Sequence, residues 1–277
     1  MPEFIFLEEV RVVRFGKGAE IIIGMHGWAG AYTDLNVFGE WIDSEKYSLY
    51  VIEFPGRGES KKLEGGHTVD DLVRFLKIHI NKLEIQNFTL IADSGFSQVA
   101  IKYAWLNPEM VKGILFIYTP LILVKPPKIW HHLWVMPTIF LFAKTRKLDG
   151  IMNKLRNSDK FMHGIFIDGI VKSKSQEAIR LELLDIQNKR KSDLQAMFES
   201  AFSIIKTKVI KEWQELNCKI EVVVAEKDLI ISTKKCLKFV KLNPKANITI
   251  VKDNVHQWDE EFIGIMRQRL MVLLESK

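Results

Sequence analysis

At 277 residues the chain can bury a sizeable core, in one large domain or in a domain carrying an insertion, which excludes a disulfide-stapled mini-protein. Hydrophobic residues make up 47% and charged residues 27%, with only 16 Gly and 8 Pro, which excludes a disordered or collagen-like polymer. The net charge of +6 comes from 40 Lys+Arg set against 34 Asp+Glu, and because the cations are scattered no nucleic-acid partner is expected.

The elements follow in chain order. Phe4–Leu7 and Val10–Phe15 read as an opening pair of strands and Glu20–Met25 as a third, followed by the loop His26-Gly27-Trp28-Ala29-Gly30 and a helix near Asp34–Ile42. Tyr47–Glu53 is the next strand, closed by Pro55-Gly56-Arg57-Gly58. Thr68 is placed to N-cap a helix that runs to about Lys82, with Asp71 at the capping-box position. Phe88–Ala92 is a strand, Phe96–Trp105 a helix and Gly113–Tyr118 a strand. From Pro120 to Trp213 helical periods dominate, including the basic run Lys189-Arg190-Lys191, which reads as a solvated face. Alternation then resumes with a strand at Lys219–Ala225, a helix near Thr233–Val240, a strand at Asn247–Val251 and a last helix from Asp259 to Leu274. The pattern predicts an α/β fold with a mostly parallel central sheet flanked by helices. Residues 1–119 and 214–277 form its core domain, and 120–213 a helical insertion.

Cys218 and Cys236 cannot build a disulfide framework, and no Cys/His cluster suggests a metal site; neither metal nor organic cofactor is expected for the chemistry read below. The N-terminal segment lacks a basic region followed by a long apolar core, and no stretch reaches about 18 uninterrupted apolar residues. The expectation is a soluble cytoplasmic protein.

Four loops at strand ends carry residues suited to one chemistry. Ala92-Asp93-Ser94-Gly95-Phe96 runs from strand to helix, where a turn can present Ser94 as a nucleophile. A serine hydroxyl needs a base, and His256 stands in the loop after the last strand. An imidazole needs its tautomer fixed, and Asp228 ends the preceding strand. Each residue also has a structural reading: Ser94 could cap the following helix, and Asp228 could cap a turn.

With these residues in view, the chain resembles the α/β-hydrolase fold superfamily from about residue 3 to residue 275. The order Ser94, Asp228, His256 matches the chain order of that family's triad. His26-Gly27-Trp28 is similar to its oxyanion loop. The resemblance implies that the N–H groups of Trp28 and Gly95 line an oxyanion hole, with His26 and Gly27 shaping the loop behind it. Glu53-Phe54-Pro55-Gly56-Arg57-Gly58-Glu59-Ser60 is similar to the family's Asp-x-Pro-Gly-x-Gly-x-Ser loop, with Glu53 in place of Asp. The insertion at 120–213 lies where that family carries its cap. These features look most like the small esterases that act on acyl-thioester or methyl-ester substrates.

The resemblance implies a serine hydrolase cleaving a carboxylic ester or thioester with a hydrophobic acyl group through an acyl-enzyme. Phe96 departs from it, standing where the Gly-x-Ser-x-Gly elbow has its last glycine. Two alternatives stay open. Asp93 as the nucleophile would give a dehalogenase-like or epoxide-hydrolase-like enzyme, and a catalytically silent member would bind an apolar small molecule. The apolar stretch 129–143, which contains His131 and His132, reads as a helix packed on the core in preference to a lid touching lipid. Met152, Met162 and Met197 are expected to pack the insertion, and His67, His79 and His163 receive no role.

Overall fold

The structure is a computed structural model that describes residues 2–118, 150, 154, 157–162, 176–228, 231–256 and 258–275. Its described strands are β1 (Glu3–Leu7), β2 (Val10–Phe15), β3 (Glu20–Met25), β4 (Tyr47–Ile52), β5 (Phe88–Asp93), β6 (Val111–Ile117), β7 (Lys219–Ala225) and β8 (Ala246–Val251). They form one sheet in the order β1-β2-β4-β3-β5-β6-β7-β8. β2 runs antiparallel to both β1 and β4, and the remaining pairs are parallel. The inner strands are continuous apolar runs because both of their faces are covered. β5 is buried along its whole length, whereas edge strand β1 leaves Phe4 and Phe6 exposed.

The described helices are α1 (Asn36–Gly39), α2 (Val69–Lys82), α3 (Ser97–Leu106), α4 (Asp159–Met162), α5 (Gln176–Lys191), α6 (Leu194–Lys206), α7 (Ile210–Glu215), α8 (Thr233–Val240) and α9 (Glu260–Leu274). Thr68 makes the expected capping box with Asp71 at the start of α2. Asp193 caps α6 and Asp259 caps α9 through their side chains. Lys189, Arg190 and Lys191 close the last turn of α5, where cations complement the helix dipole. Arg190 pairs there with Asp159 and Lys191 with Glu59.

The helix expected over Asp34–Ile42 is shorter, a 3-10 turn at Tyr32–Leu35 followed by the single turn of α1. Two contacts hold this segment in place. The Asp34 carboxylate accepts a hydrogen bond from Gly27 N–H, and a Cβ at Gly39 would lie 2.4 Å from the Phe15 ring.

Each face of the sheet has its own core. On one, Ile23, Phe54, Phe75, Leu90, Phe96 and Trp213 pack under α2, α3, α7 and α8. On the other, Ile22, Phe38, Ile91, Phe262 and Met266 pack under α1 and α9. Cys236 lies in the first core and Cys218 beside it, and burial pushes their thiols up to about 12 and about 11. Among the described residues no helix is long and apolar enough to cross a membrane. The stretch 129–143 with His131 and His132 lies outside the described residues, as do Met152 and His163.

Candidate active site

β3 is flanked by β4 on one side and β5 on the other, so the direction of chain progress reverses between β3 and β5. A crevice opens beyond the carboxyl ends of strands at such a point. Met25 pairs with Ala92 in parallel register, so the loops that leave these two strands start side by side.

After β5 the backbone turns sharply. Asp93 is still extended, with φ −93° and ψ 131°, and the next residue, Ser94, has φ +45°. A left-handed serine is a strained placement that the surroundings must hold. A 3-10 turn over Ser94–Phe96 then leads into α3. The N-cap of α3 is Phe96 and makes no side-chain capping bond, so Ser94 does not cap that helix. The Ser97 hydroxyl donates to the Ser94 carbonyl and ties the turn to the helix.

A Cβ at Gly95 would lie 2.6 Å from the Trp28 Cβ, so only glycine lets the turn approach the loop after β3 this closely. That loop is held from behind by His26. Its Nε2 accepts from Phe54 N–H at 3.0 Å, which leaves the proton on Nδ1, donated to the Gly27 carbonyl at 2.7 Å. Burial lowers the His26 pKa to about 3, so the ring is a neutral brace. Asp34 holds Gly27 N–H at 3.1 Å, while the Trp28 N–H makes no hydrogen bond among the described residues. The Trp28 indole reaches α6, donating to the Met197 carbonyl at 2.8 Å.

Phe96 turns its ring into the core. It stacks on Phe54 with centroids 4.2 Å apart and meets His26 edge-on at 5.5 Å. Glu53 anchors the loop after β4: buried, it takes a two-point hydrogen bond from Arg11 at 2.8 and 2.7 Å and accepts from Tyr32 and Glu59 N–H.

At the ends of β7 and β8, the His256 Nδ1 lies 2.7 Å from Asp228 Oδ2. The second Asp228 oxygen accepts from Ile231 N–H at 2.7 Å. The Asp228 side chain is 1% exposed and that of His256 is 14% exposed, so the carboxylate is sealed while the imidazole keeps part of its surface open. Asn254 shapes the His256 loop, accepting from His256 N–H and donating to Asp259. Tyr118, directly after β6, lays its ring on the His256 imidazole, with centroids 3.9 Å apart and 20° between planes. Because Ile117 pairs with Asp93, this stack draws the His256 loop across β7 toward the end of β5.

No family model and no curated protein matches this chain. Solved structures do. An esterase from Exiguobacterium antarcticum superposes with a TM-score of 0.76 at 13% identity, covering all of both chains. An enol-lactonase from Burkholderia xenovorans gives 0.76 at 11% identity, over 99% of this chain and 100% of that one. A bromoperoxidase from Bacillus anthracis gives 0.72 at 15% identity over all of both chains. The chain has the α/β-hydrolase fold.

In this α/β-hydrolase fold the sequence-predicted residues gather at one end of the sheet: Ser94 after β5, Asp228 after β7, His256 after β8, and Trp28 beside Gly95. Asp93 sits before the strained turn and packs its carboxylate toward Gly27. Tyr118 was missed as a neighbour of these residues. Tyr118 carried one usable signal, its place at the carboxyl end of a strand neighbouring β5.

Proposed function

We propose that this chain is a serine hydrolase that cleaves a carboxylic ester or thioester with a hydrophobic acyl group. The observation that carries the reading is the left-handed Ser94 on the turn after β5, at the same sheet end as the His256–Asp228 pair at 2.7 Å. The esterase and enol-lactonase among the structural neighbours, whose names denote cleavage of ester-type bonds, support it. The extended backbone at Asp93 argues against the carboxylate as nucleophile.

In the proposed reaction Ser94 Oγ attacks the carbonyl carbon as His256 Nε2 takes its proton. Asp228 holds Nδ1–H and stabilises the imidazolium. The electron pair displaced onto the carbonyl oxygen is met by the N–H groups of Trp28 and Gly95. Collapse breaks the bond to the alcohol or thiol, which leaves with the proton from His256. Water, deprotonated by the same imidazole, then hydrolyses the acyl-serine and restores the hydroxyl. Residues 120–213 act in this reading as a helical cap that shapes the acyl site. The contacts of Trp28 with α6 support that placement.

The test is reaction of the purified protein with a fluorophosphonate, followed by peptide mapping. An adduct on Ser94 that disappears in His256→Ala is the expected result. A folded protein that takes no label would overturn the reading and leave a silent ligand-binding member, and an adduct-free protein that releases halide would point to Asp93.

A further inference from the structure

We propose that the buried guanidinium of Arg57 is a positioning residue of the oxyanion site, a fixed positive charge that favours the oxyanion over the neutral carbonyl. This rests on the serine-hydrolase reading above.

Arg57 is fully buried. Its Nε donates to the Trp28 carbonyl at 3.1 Å, its Nη1 to the Pro55 carbonyl at 2.8 Å and its Nη2 to the Ser200 hydroxyl at 2.6 Å. Among the described residues, then, its hydrogen bonds go to uncharged oxygens. The carboxylate that contributes to its electrostatics, Asp193, is itself 3.3 Å from Lys62. A buried cation without a bonded counter-ion is costly to fold, and its charge is left free to act on something negative that forms nearby. One expected oxyanion donor lies in a residue that Arg57 contacts and the other is next to one. Trp28, whose carbonyl it holds, carries one N–H, and Gly95, which carries the other, precedes Phe96.

Phe96 completes the arrangement. The guanidinium carbon lies 5.5 Å from the centre of its ring, so the residue that replaces the elbow glycine covers the cation and keeps water off it. Without water the field of Arg57 reaches its neighbours: its charge adds to burial in keeping His26 neutral. A carbonyl in the ground state carries little charge and an oxyanion carries a full one, so this field acts on the transition state and moves kcat more than KM.

A simple structural clamp would need the hydrogen bonds and not the charge, and paired variants separate the two. With p-nitrophenyl butyrate as probe, Arg57→Gln is expected to lower kcat by about 10- to 100-fold with little change in KM, and Arg57→Lys to recover most of it. Ser200→Asp puts a carboxylate against Nη2 with Arg57 still in place. It should lower kcat as Arg57→Gln does, and it decides the matter if the Arg57 variants do not fold. Arg57→Gln near the wild-type kcat, Arg57→Lys no better than Gln, or Ser200→Asp at full kcat would each overturn the proposal. A wild-type protein with no fluorophosphonate adduct on Ser94 overturns the underlying reading instead, and this inference with it.

Discussion

The ring of Phe96 stacks on that of Phe54, 26° from parallel, at the end of the turn that carries Ser94. The position that a glycine elbow leaves empty is here filled by a core side chain, because the ring packs on Phe54 and His26 while Gly95 makes the close approach to Trp28. Phe96 is fully buried, so Phe96→Ala removes an aromatic ring from the core and leaves a cavity. A loss of about 3–5 kcal/mol is expected, read as a lower urea midpoint. An unchanged midpoint would show that the ring contributes nothing to the core.

Gly95 sets the separation of the two loops. Gly95→Ala places a methyl 2.6 Å from the Trp28 Cβ, and one loop must move. On the serine-hydrolase reading this parts the two oxyanion donors and lowers kcat by about 10²- to 10³-fold. Ester turnover by the variant checks it, with the circular dichroism spectrum as evidence of an intact fold. Wild-type turnover would mean that these N–H groups do not act together.

Much of this site was legible in the chain, and the limits have physical causes. The triad candidates sit at strand ends, and parallel strands covered on both faces are unbroken apolar runs whose ends are sharp, as at Ile91-Ala92-Asp93-Ser94. Thr68 and Asp71 reveal a helix start because a capping box is local chemistry. The course of the Phe96 ring was not legible, since it depends on Phe54 and Phe75, which other elements deliver. Arg57 was hidden for the same reason: its contact with Ser200 joins residues 143 positions apart. Nor could spacing show that Tyr118 stacks on His256, which follows from the order of β6, β7 and β8 in the sheet.

Asp228 holds the imidazole with one oxygen and the Ile231 N–H with the other. Asp228→Asn keeps the shape and can still satisfy Ile231, but the amide can donate to Nδ1 and so favour the tautomer with the proton on Nε2. On the serine-hydrolase reading the base that Ser94 needs is then lost. Turnover should fall by about 10⁴-fold while the urea midpoint moves little. A variant within tenfold of the wild type would show that His256 does not depend on this carboxylate.

His26 makes stability depend on pH. Its folded pKa of about 3 lies below the ordinary value of 6.5, so the unfolded chain binds a proton there that the native protein does not. The contribution is fully present above pH 6.5 and is lost as the pH falls toward 3, at about 1.4 kcal/mol for each pH unit. His67 and His79, also lowered by burial, act in the same direction, so the wild type alone cannot isolate the effect. The comparison with His26→Gln does, because glutamine does not titrate and its carbonyl can still accept from Phe54 N–H. Between pH 6.5 and pH 5 the wild type should lose about 2 kcal/mol more than the variant, measured by urea denaturation at each pH. Parallel losses in the two proteins would mean that His26 is protonated in the native state and that its bond from Phe54 is not what braces the loop.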